Sequence, residues 1–219
     1  MKPHRTTDEN GAFTLLELLL VILVLIILAA MLLPANSGAH NRDRVKRINC
    51  VNNLKQIGVA FRVWGGDNGD KFPMEISATN HDAMNLITAG KAYVFWQIMS
   101  NELGTPKILY CTADTPKAAA TNFTTGFNDA SISYFLNLDG NQSSPQMILT
   151  GDDNLALNNV PARTGILTLL TNSSVAWTSA RHKFAGNIGI ADSSVQQVNT
   201  PGLSSAISNA GAPSRFVIP

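Results

Sequence analysis

Charge is scarce in this chain. Of 219 residues only 14% are Asp, Glu, Lys or Arg, and 16 basic residues against 15 acidic leave a net charge of +1. An ordinary soluble domain carries about 25% charged residues. A dedicated nucleic-acid binder would show a basic stripe, so that partner is not expected. Catalytic signatures are also missing: there is no nucleophile elbow, no phosphate-binding glycine loop and no zinc-ligand spacing. His4, His40 and His81 show no metal-ligand spacing with His182. No internal repeat and no long low-complexity linker interrupts the chain. Apolar residues, by contrast, reach 45%, which excludes wholesale disorder.

Those apolar residues are concentrated. Residues 13–33 read FTLLELLLVILVLIILAAMLL, with only Thr14 and Glu17 polar. About 20 apolar residues span a bilayer core as helix, so the composition implies a single membrane pass. Three kinds of segment fit. A secretory signal peptide would use Lys2 and Arg5 as its basic start and be cut after Ala39, but residues 13–33 exceed the usual apolar region and contain Glu17. A plain anchor leaves Glu17 without a role. A third reading gives it one.

The run Gly11-Ala12-Phe13-Thr14-Leu15-Leu16-Glu17 and the apolar stretch after it resemble the processing site of the type IV prepilin and pseudopilin superfamily. The resemblance implies a leader over 1–12 that is removed by prepilin peptidase. Cleavage falls between Ala12 and Phe13, and the new amino terminus is N-methylated. Ala12 stands where the family has glycine. Glu17 becomes the fifth residue of the mature chain, the carboxylate that serves processing and sets register between subunits. Pro34 falls where the family's helix is kinked.

What the resemblance implies is a structural subunit, not an enzyme. It would assemble with other pseudopilins into a type II secretion-type filament, through an inner-membrane platform and in contact with membrane lipid. The leader would be cytoplasmic and the head periplasmic. A count of flanking charge points the other way, because Arg42, Arg44, Lys46 and Arg47 outnumber Lys2 and Arg5. The rival reading is a secreted or membrane-tethered binding protein.

Beyond Pro34, apolar positions at 51, 54, 58 and 61 recur at helical spacing, so an amphipathic continuation is expected over 34–64. The head, 65–219, opens on the turn-forming sequence GGDNGDKFP. A short helix is expected over 92–103. Strands are expected over 132–138, 146–150, 165–171, 175–178, 187–191, 195–198 and 216–218, with a short helix over 203–210. Asn172-Ser173-Ser174 and Asp192-Ser193-Ser194 read as hairpin turns. The expected fold is therefore α+β and pilin-like, a long N-terminal helix packed on a C-terminal antiparallel sheet.

Cys50 on the helix and Cys111 in the head are the chain's two cysteines. They are expected to form a disulfide, the alternative being two buried thiols. His182 and Asp192 have the His-x9-Asp spacing of pseudopilin-like families of planctomycete and verrucomicrobial bacteria, with Ser193 in place of their glycine. The expected role of this pair is to pin a β-hairpin. No cofactor is required by this reading; Asp152 and Asp153 are the carboxylates that could take calcium, by analogy with major pseudopilins.

Overall fold

The structure is a computed structural model that describes residues 14–32, 38–77, 85, 87, 89, 91–170, 173–210 and 214–219. Two compact units divide the chain, residues 1–41 and Arg42–Pro219. In the first, Leu15–Leu32 form helix α1. Thr14 caps it, its Oγ1 accepting the Glu17 N–H at 3.2 Å. Ser or Thr followed three residues later by Glu is the sequence of a capping box, so Glu17 occupies the third position of the first turn. The carboxylate also favours the positive end of the helix dipole there.

This helix corrects the localisation expected above. Among the described residues no helix is long and apolar enough to cross a membrane. With 18 residues, α1 rises about 27 Å, short of the ~30 Å hydrocarbon core that residues 13–33 were expected to span. The single-pass inner-membrane placement, with its cytoplasmic leader and periplasmic head, is overturned with it.

Helix α2, Gly38–Asp67, is the long amphipathic helix of the sequence reading, ending three residues later than expected. From Cys50 onward one face is buried through Leu54, Ile57 and Phe61. Short helices described after it include α3 (Pro73–Ser77), α4 (Ala92–Ile98) and α5 (Ser100–Leu103). Their Phe72, Phe95 and Trp96 neighbourhood closes on Phe61, with ring centroids 5.4, 5.9 and 6.1 Å away.

The sheet strands are β1 (Tyr134–Asn137), β2 (Ile148–Asp152), β3 (Leu155–Leu157), β4 (Val160–Pro161), β5 (Gly165–Leu169), β6 (Val175–Trp177), β7 (Ala185–Ile190), β8 (Val195–Asn199) and β9 (Ser214–Ile218). Six of them form an antiparallel sheet in the order β5-β9-β1-β2-β7-β8, and β4-β3-β6 form a second, three-stranded one. A last helix, α6, covers Thr200–Ala210. The chain is thus α+β with a C-terminal antiparallel sheet.

Alternation along the central strands places Tyr134, Leu136, Leu149 and Val217 in the core shared with α2. Phe135, Ile148, Phe216 and Ile218 point to the opposite face, where Trp177, Leu203 and Ile207 cover them. Both faces of β1 and β2 are therefore buried, one against α2 and the other under Trp177 and α6. Asp192-Ser193-Ser194 does join β7 to β8 as a hairpin. The strands on either side of the other expected turn are not hairpin partners: β5 pairs with β9 and β6 with β3.

Candidate functional site

The disulfide expected between Cys50 and Cys111 is present, with Cα atoms 5.4 Å apart. It joins α2 to the segment leaving a short 3-10 turn at Pro106–Leu109, whose start is capped by Thr105. Asn53, one turn along α2, reinforces the junction by donating from Nδ2 to the Tyr110 carbonyl at 2.9 Å. Both sulfurs are fully buried.

Two further polar groups reach the same point. Asp152 ends β2, opposite Tyr134 on β1. Its Oδ2 accepts from the Asn187 backbone N–H at 2.7 Å and from Asn187 Nδ2 at 2.8 Å. His182 Nε2 lies 3.6 Å from that oxygen and 3.6 Å from Cys111 Sγ. Burial pushes the Asp152 carboxyl above its ordinary range, against the opposing pull of Arg181, His182 and Asn187. Burial likewise lowers the His182 imidazole, and the Asp152 charge opposes that shift.

The backbone that delivers His182 is unusual. His182, Lys183 and Phe184 take φ values of 52°, 54° and 61°, a run of three left-handed residues without a glycine. Each such residue costs roughly 1–2 kcal/mol. Buried anchors on either side hold the turn in place: Arg181 on one, and β7, starting at Ala185, on the other.

Arg181 is itself the hub of an ion network. Its Nη1 donates to the Ser133 carbonyl at 3.0 Å and lies 3.2 Å from Asp114 Oδ2, while Nη2 pairs with Asp153 Oδ1. Lys117 Nζ takes the other Asp153 oxygen at 2.6 Å and also reaches the Ile132 and Pro219 carbonyls. Burial pushes this ammonium down to about 8. Asp152 and Asp153, considered together above for calcium, thus face different partners. One meets His182 and Asn187; the other is matched by two cations.

His182 and Asp192 sit at opposite ends of β7. Asp192 Oδ1 accepts the Ser194 N–H at 2.8 Å, which tightens the β7–β8 turn, and Ser193 Oγ donates to the Gly58 carbonyl of α2 at 3.0 Å. The expected hairpin support is thus built by Asp192 with its own neighbours, while His182 turns toward the disulfide. Spacing singled out His182 but gave the wrong company: Cys50, Cys111 and Asp152 lie 132, 71 and 30 positions away in the sequence, and strand pairing brings them together.

At the other end of the chain, Gly11, Ala12, Phe13 and Pro34 lie outside the described residues. Glu17 is exposed, as is every described side chain of α1. Compared with known families, curated proteins and solved structures, the chain matches no family model, no curated protein and no solved structure.

Proposed function

We propose that this chain is a structural, pilin-like subunit that assembles with further copies through α1. The observation that carries the reading is the surface of that helix. From Leu15 to Leu28 its large apolar side chains are between 43% and 81% exposed, with no face withdrawn from solvent. An apolar surface of that extent calls for a partner. A helix apolar all round suits the interior of a bundle of like helices. The Thr14–Glu17 cap adds a built helix start next to the processing sequence Gly11-Ala12-Phe13. In this reading the chain is a substrate of prepilin peptidase and catalyses nothing itself.

Intact-mass measurement of the mature protein, with electron microscopy of the same preparation, tests this. The expected result is an N-methylated chain beginning at Phe13 that forms filaments. Glu17→Ala should leave the head folded and reduce assembly. A chain beginning at His40, or a monodisperse monomer after processing, would overturn the proposal and favour a secreted binding protein.

A further inference from the structure

Cys50, Cys111, Asp152 and His182 come from four separate segments, yet their ligand atoms all lie within 4.8 Å of one another. All four side chains are buried within the unit Arg42–Pro219; the His182 side chain is 3% exposed and that of Asp152 is fully covered. Ligands placed 2.0–2.3 Å from a tetrahedral zinc ion lie about 3.3–3.8 Å from each other. The Cys111–His182 and His182–Asp152 separations, 3.6 Å each, already fall on such edges.

Asp152 shows a second sign. Its Oδ2 is held by two donors from Asn187, an outer contact of the kind that orients metal-binding carboxylates. Its Oδ1 is buried and has no hydrogen-bond partner in the protein. A buried carboxylate oxygen left unmatched is costly unless something else takes it up.

The geometry points to a second state of this cluster: on reduction of the disulfide, Cys50 Sγ, Cys111 Sγ, His182 Nε2 and the Asp152 carboxylate form a closed four-ligand zinc(II) site. A dithiol reductant supplies the two electrons and two protons that turn the disulfide into two thiols, and itself closes to a cyclic disulfide. The sulfurs then part by rotation about their Cα–Cβ bonds. Zinc binding releases the two thiol protons to solvent. Two thiolates, one carboxylate and a neutral imidazole around Zn2+ sum to −1, and the Arg47 and Arg181 guanidiniums act on His182 at this site. The inference concerns the unit Arg42–Pro219 alone and is independent of filament assembly.

Cobalt(II) reports on such a site through thiolate charge-transfer bands and the intense visible bands of tetrahedral coordination. The full-length chain, reduced with dithiothreitol and freed of it under anaerobic conditions, is expected to bind one Co2+ displaceable by one Zn2+. The oxidised chain is expected to bind neither. Loss of the bands in His182→Ala and in Asp152→Asn supports the four-ligand set. Asn187→Ser keeps all four ligands and should weaken zinc about 10–100-fold. Equal binding by the oxidised chain, no binding by the reduced one, or bands unchanged in the His182 and Asp152 variants would each overturn the proposal.

Discussion

Reducing the Cys50–Cys111 bond should cost the head a large part of its stability. The bridge joins residues 61 apart in sequence. Closing a loop of that length in the unfolded chain removes about 14 cal/mol/K of chain entropy, or about 4 kcal/mol at 25 °C. Reduction is a cleaner perturbation than substitution. Both sulfurs are fully buried, and thiols fill that space as small hydrophobes, so no cavity opens. Trp64, Trp96 and Trp177 all lie within the unit Arg42–Pro219, and Trp96 is fully buried, so tryptophan fluorescence follows unfolding. Urea titrations of the oxidised and reduced chain, both in excess chelator, should differ in midpoint by about 2 M for an m-value of about 2 kcal/mol/M. Midpoints within about 0.5 M would show that the unfolded ensemble is not constrained by this loop and would refute the reasoning.

Other perturbations read different parts of the molecule. A Cβ at Gly186 would stand 2.5 Å from the Trp177 ring, so Gly186→Ala should destabilise by about 1–3 kcal/mol in the same titration. Arg181→Leu leaves Asp114 and Asp153 without their shared cation and should cost about 3–5 kcal/mol. Lys117 titrates near 8 when folded and at 10.5 in the unfolded chain. The unfolded state therefore holds more protons between those values, and stability should rise from about pH 8 to 10.5; Lys117→Met should remove that rise. Phe184 is left-handed and 63% exposed, so Phe184→Gly should change stability by no more than about 1 kcal/mol and in the favourable direction. A larger loss there would mean that the ring, not the backbone, holds the turn.

Local patterning carried much of the architecture. The apolar run announced α1, and helical spacing at 51, 54, 58 and 61 placed the buried face of α2. Most strands of the large sheet follow from alternation bounded by Asn, Asp, Gly or Ser. Of the small sheet, β6 was expected over 175–178, while β3 and β4 escaped because they have only three and two residues, too few to show a period. Their one strong signal was Asn158-Asn159, where both residues have positive φ, as a tight hairpin requires. The second covered face of the sheet went unseen because it depends on β5 and β6 taking non-sequential partners. At the N-terminus, apolar length alone suggested a bilayer span, yet the helix starts only after the Thr14 cap.

The cluster around His182 poses a separate physical question. Asp114, Asp152, Asp153, Arg181 and Asn187 are all buried in the head. Replacing buried ion pairs with apolar side chains is commonly neutral or stabilising, so such a network is poor value as a source of stability alone. Its members tie together segments near residues 50, 111, 133, 152 and 182, none of them sequence neighbours. Held between α2 and the centre of the sheet, these groups can specify which segments meet. The disulfide secures that meeting covalently, but reduction would leave two thiols facing an imidazole and a carboxylate already in position. A scaffold that keeps four ligands converged, one of them on a strained left-handed turn, is organised around the cluster. The left-handed turn at His182 is what sets its imidazole 3.6 Å from both Cys111 Sγ and the Asp152 carboxylate.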